Sequence, residues 1–143
     1  MTVPLDEKGE RGLAVIGSMM GPGFSEALRA AATSGKFGST VARMAIDYAF
    51  ADAWGRDGLE RKQKSLVVIG ILVAQGQTSE LKNHIKIGVA NGLTVHEVEE
   101  ALIQALPYVG FPRIASASTA AIEALREIGL DPDVRTAEES GLL

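Results

Sequence analysis

Apolar residues recur along this chain at helical spacing, and no stretch alternates with period two for long enough to form a strand. Asp6 caps a first helix that runs to about Met20, and Gly21-Pro22-Gly23 breaks it. A short helix from Phe24 to about Thr33 follows, and Ser34-Gly35 ends it. Ser39 caps the next helix, which carries Val41, Met44, Ala45, Tyr48, Ala49 and Ala53 on one side. Gly55 to Gly58 is a loop, with Asp57-Gly58 as its turn signal.

The second half of the chain continues with more apolar helices and is no convincing repeat of the first. The segment from about Glu60 to Gln75 is apolar nearly all round in its second half, which predicts burial in the centre of the domain or in a subunit interface. Gly76 stops it, and Thr78 or Ser79 caps a helix to Ala90 that Asn91-Gly92 terminates. Thr94-Val95-His96-Glu97 reads as a capping box ahead of a helix bearing Val98, Ala101, Leu102, Ala105 and Leu106 on one face. Gly110-Phe111-Pro112 breaks the chain, Pro112 suits the first position of a last helix to Ile128, and Gly129 ends that. The prediction is one all-α domain over residues 1–143, with six or seven helices joined by short connections. Its core spans about 42–129, its N-terminal helices lie within 6–34, and the polar tail 130–143 is loose or draped on a neighbour.

Composition narrows the partners. The net charge is −4 and no Lys/Arg run is present, so nucleic acid is not an expected partner. The chain has no cysteine, which removes disulfides, thiolate metal sites and thiol redox chemistry. The N-terminal residues lack a signal-peptide apolar core, and the longest apolar run, Leu66 to Ala74, is too short for a bilayer. A cytoplasmic protein without a membrane partner is the expectation.

Glu80 and His84 stand four residues apart on one predicted helix and therefore share a face, with Ile87 and Gly88 next along it. A carboxylate beside an imidazole fixes the ring tautomer, raises its pKa, and makes a proton-transfer unit near neutral pH. The same spacing also serves a plain surface pair whose acid favours the helix dipole. His96 falls in the capping box, where first-turn residues face water. Two histidines so far apart, without cysteine or an HExxH pattern, make no metal site. Arg113 follows Pro112 at a helix start, where it can complete a carboxylate-binding corner, face water or bridge subunits. Arg61, Lys62 and Lys64 form a basic first turn that is a solvated face or a receiver for an anionic substrate. The Gly21-Pro22-Gly23 segment lacks the Lys-Ser/Thr of a phosphate loop, and no Gly-x-Ser-x-Gly elbow is present.

Four separated motifs resemble those of the carboxymuconolactone decarboxylase family, which also contains the AhpD-like peroxidases. They are Trp54-Gly55-Arg56-Asp57-Gly58-Leu59 with the basic turn after it, Glu80-Leu81-Lys82-Asn83-His84, Ala90-Asn91-Gly92-Leu93-Thr94 with Glu97 and Glu100, and Tyr108-Val109-Gly110-Phe111-Pro112. Their order and spacing agree over about Ala42 to Gly129. In the peroxidase branch the positions matching Gln77 and Glu80 are the cysteines of a C-x-x-C, so the resemblance favours the decarboxylase-like branch. Tyr48 is a departure, since some decarboxylases carry a histidine there.

The resemblance implies loss of CO₂ from a carboxylated unsaturated lactone, such as 4-carboxymuconolactone or a related intermediate of aromatic catabolism, without metal or organic cofactor. It implies Glu80 and His84 as the acid–base pair, Arg61 or Arg113 holding a substrate carboxylate, and Tyr48, Trp54 or Tyr108 lining the pocket. It also implies a small anionic substrate and a homo-oligomer, trimer or hexamer. An isomerase or tautomerase using the same pair, and a non-catalytic ligand-binding or assembly module, are the alternatives.

Overall fold

The structure, a computed structural model, describes residues 2–142. Among these residues it has seven α-helices, one π-helical segment and no strand, so the chain is all-α as its periodicity predicts. It divides into two compact units, Met1–Glu60 and Arg61–Leu143.

In the first unit, α1 (Glu7–Met20) begins at Asp6, whose carboxylate accepts the Gly9 N–H at 2.9 Å. Gly21 alone breaks the chain, and Pro22 opens α2 (Pro22–Thr33), where its missing N–H has no partner to lose. Ser39 does not cap the next helix as expected. Gly38, at φ +88°, takes the cap position, and Ser39 becomes the first residue of α3 (Ser39–Met44). From Ala45 the same helix widens into a π-helical segment, Ala45–Trp54. At its end the Gly55 N–H donates to the Phe50 carbonyl, five residues back, at 2.9 Å. Helix α1 approaches this segment through Gly12, where a Cβ would meet the Ile46 carbonyl oxygen and stand 2.9 Å from Ile46 Cγ2. Leu13, Ile16 and Met19 of α1 are buried, as are Ile46 and Trp54 of the π segment. Arg43 ties the start of the unit to its middle, with Asp47 at 3.0 Å and Asp6 at 3.4 Å.

The second unit contains α4 (Arg61–Gln75), α5 (Thr78–Ala90), α6 (Val95–Val109) and α7 (Phe111–Glu127). Its core joins Ile69 and Val73 of α4, Leu81 and Ile85 of α5, Val98 and Leu102 of α6, and Ala117, Ala120, Ala121 and Ala124 of α7. The small side chains of α7 repeat at i, i+3, i+4 and i+7, so one smooth face of that helix packs inward. Neither Thr78 nor Ser79 caps α5; Gln77 holds the cap position with no side-chain bond, and Thr78 is the first helical residue. The predicted box at α6 is present, with Thr94 Oγ1 accepting the Glu97 N–H at 3.0 Å and Glu97 accepting the Thr94 N–H at 3.2 Å. Lys82 and Lys86 bind Glu123 and Glu127 of α7, which pins the two helices side by side.

The expected loose tail is instead tied to α7 of its own chain. Arg126 binds Glu139 at 2.6 Å and donates to the Val134 carbonyl, and Thr136 is buried. These polar partners lie beyond the last helical period, which is why apolar spacing gave no sign of them. Among the described residues no helix is long and apolar enough to cross a membrane.

Candidate active site

Helix α5 sets the faces. Leu81, Ile85 and Gly88 turn into the core, and Lys82 and Lys86 reach α7. Glu80 and His84 are half a turn away from those lysines, because two residues advance a helix by about 200°. Glu80 is exposed in the first turn, and His84 is half-buried one turn on, with Nδ1 shielded from solvent. The two interact electrostatically, as the shared face requires.

The balance at His84 differs from the expectation. Burial pushes the imidazole below its ordinary value of 6.5, and the Glu80 charge pulls it up by less. Desolvation wins because the ring is in the protein while the carboxylate is in water, where its field is screened. The ring is therefore neutral at pH 7, able to donate one N–H and accept at the other nitrogen. For stability the sign follows directly. The unfolded chain binds the proton more readily, so this contribution is complete above 6.5 and is lost as pH falls through the lowered folded value. NMR titration of the His84 ring should give a pKa below 6.5, and Glu80→Gln should lower it further. An unchanged value on that substitution would show that the carboxylate does not act on the ring.

The other expected residues are distributed across both units. Arg61 opens α4 and is engaged in an interaction of its own. Lys62 is spoken for, since it binds Glu97 at 2.7 Å and holds that carboxyl below its usual range together with the Thr94 cap. Tyr108 is 83% exposed and edges a groove of about 480 Å³ with Leu66, Gly70, Ala101, Gln104 and Ala105. Glu80 and His84 do not line that groove. In the first unit Tyr48 is 72% exposed on the π segment, whereas Trp54 is 8% exposed at its end. His96 is a solvated first-turn residue, as predicted, with its side chain 75% exposed. Among the described residues no cluster of three or more His, Asp or Glu side chains could hold a metal ion.

Two features escaped the sequence reading. Ser65 is fully buried and accepts a hydrogen bond from Asn91 Nδ2 at 3.0 Å, so the residue read only as a helix stop also joins α4 to the end of α5. A serine inside an apolar helical face was the available signal. Gly76 was likewise read only as a stop. It stands at φ +67°, and a Cβ there would collide with Nη1 of Arg113 and lie 2.9 Å from its Cζ. The guanidinium of Arg113 therefore rests on the bare backbone of the α4–α5 turn.

The chain is 34% identical over 86 residues to a 4-carboxymuconolactone decarboxylase of Acinetobacter baylyi, a match that covers 60% of this chain and 64% of that one. It is 38% identical over 66 residues to the nitrosuccinic acid decarboxylase npaB of Metarhizium robertsii, covering 46% of each. The matches thus span less than two thirds of the length of either relative. Residues 39–123 match the profile of the carboxymuconolactone decarboxylase family, and the chain belongs to that family.

Proposed function

We propose that this protein is a cytoplasmic, cofactor-independent carboxy-lyase that removes CO₂ from a small carboxylated substrate with an adjacent electron acceptor, such as an unsaturated lactone. The observation that carries the reading is the half-buried His84 one turn from an exposed Glu80, with burial holding the ring below its ordinary pKa. Both relatives are named as decarboxylases, which supports it.

Cleavage of the bond to the departing carboxylate leaves an electron pair that delocalises into the acceptor as an oxyanion. A neutral imidazole N–H is a donor suited to that developing charge. Negative charge beside the ring then raises its affinity for a proton, so His84 can relay a proton to carbon as CO₂ leaves. Glu80 stabilises the cationic ring while it holds that proton. Arg61 or Arg113 holds a substrate carboxylate, and Tyr48, Trp54 or Tyr108 lines the pocket.

We also propose self-association as a trimer or hexamer. Leu66, Val67 and Ile71 of α4 and Ile103 of α6 are exposed, an apolar surface that favours a second copy.

The test is product analysis with 4-carboxymuconolactone and nitrosuccinate. One equivalent of CO₂ per substrate consumed is expected for at least one of them or for a related carboxylated lactone. Double-bond migration without CO₂ would identify an isomerase, and no turnover across such a screen would favour a binding module.

A further inference from the structure

We infer that the C-terminal segment and helices α6 and α7 form a second binding site, one that takes a small apolar cation such as an arylalkylamine. The inference is independent of the Glu80/His84 reading, because neither residue lines this cavity.

The cavity measures about 410 Å³, a size that holds a small organic molecule. Its floor is Val98 and Leu102 of α6 with Ala121 and Leu125 of α7, all buried. The two helices alone would leave this floor as an open groove. The C-terminal segment supplies the missing wall, through Pro132 and Val134. Polar anchors hold that wall. Arg126 of α7 binds both carboxylate oxygens of Glu139, at 2.6 and 3.2 Å, and also donates to the Val134 carbonyl. Thr119 of α7 donates to Glu138 at 3.2 Å. The anchors keep the wall over the floor without packing it in, so the space between them stays open.

Charge selects the occupant. No Lys or Arg lines the cavity, and its polar groups are Glu99 and Ser118. Among the described residues, Glu99 and Asp133 are the two side-chain carboxylates of the second unit with no hydrogen bond or charged partner. The others face His84, Lys62, His96, Lys82, Arg126 or Thr119. Both unpaired carboxylates belong to this one cavity. Glu99 lines it, and Asp133 stands between Pro132 and Val134 in the segment that walls it. A molecule with an apolar body and an ammonium end suits both halves of the site. Its body covers the buried floor, and its charge meets the two acids. The Ser118 hydroxyl can accept a further ammonium hydrogen. An anion is repelled by the same two acids, so the carboxylated substrates proposed for His84 are selected against here.

The experiment is methyl NMR on the full chain, read at Val98, Leu102, Leu125 and Val134. The probes are naphthylethylamine, its neutral counterpart naphthylethanol and the anion naphthylacetate. The amine should shift these signals saturably and bind at least about fivefold tighter than the alcohol, with the acetate weakest. Glu99→Gln combined with Asp133→Asn should bring the amine down to the alcohol, and leave the alcohol within about twofold of its parent value. Glu139→Gln, which loosens the wall, should weaken amine and alcohol alike. Ile122→Trp fills the cavity from a half-buried lining position and should abolish binding of both, with the helical circular dichroism retained. Ser118→Phe fills it from a second lining position if the tryptophan variant does not fold. Equal affinity for the three probes overturns the inference, as does an amine preference that survives the double substitution. Methyl signals that no probe moves, or shifts that persist in the filled variant, overturn it too. A Glu139→Gln variant that binds as the parent does would show that the C-terminal segment is no part of the site, and would also overturn it.

Discussion

His84→Ala should lower kcat by about 10² to 10⁴-fold, the range general acid–base groups contribute, while the protein stays folded. The loss falls on kcat because the ring acts on charge that exists only as the carbon–carbon bond breaks. Folding should survive because His84 sits at the border of the core, whose α5 members are Leu81 and Ile85. Glu80→Gln should cost less, since the exposed carboxylate acts through the ring rather than on the substrate, and the neutral ring persists without it. Circular dichroism and single-turnover kinetics on the two variants check both halves of this expectation. Equal, full activity in both would remove the pair from the mechanism.

The adjacent position should behave in the opposite way. Ile85 is fully buried among Ile69, Leu81 and the alanines of α7. Ile85→Ala removes three carbons from a close-packed interior that relaxes only in part, which costs about 2–5 kcal/mol. That is a large share of the ~5–15 kcal/mol that holds a typical domain together. Ile85→Val, which removes one carbon, should cost about 0.5–1.5 kcal/mol. Denaturant titration measures both, and kcat of the folded fraction should remain near that of the parent. Two neighbouring residues of one helix thus separate chemistry from stability, because a 100° step takes the chain from the border of the core into it. An Ile85→Ala variant of unchanged stability would mean that α5 does not pack as described.

These contrasts also show what could be read in advance. Helix starts and stops with a local cause were legible: Asp6 at α1, the Thr94–Glu97 box at α6, and the glycine-led ends of α4 and α7. The all-α class followed from periodicity alone. The π-helical widening at Ala45 was not legible, because apolar residues four apart fit either helix over so short a stretch. The cap at Ser39 was misplaced by one residue, because Gly38 supplies a left-handed turn that makes a side-chain cap unnecessary. At the site, spacing correctly put Glu80 and His84 on one face. It did not give the sign of the His84 shift, which depends on tertiary burial rather than on the neighbour in sequence. The seat of Arg113 on Gly76 joins residues far apart in the chain, and no local pattern encodes it.

The central claim is that His84, biased by Glu80, moves the proton in the reaction. Its most direct test is the pH dependence of kcat/KM for the parent and for Glu80→Gln, which reports the ionisation of the uncomplexed enzyme. The account predicts an acidic limb below 6.5 that coincides with the His84 pKa from NMR and moves down with it on substitution. A limb that stays in place while the NMR value shifts would contradict the account.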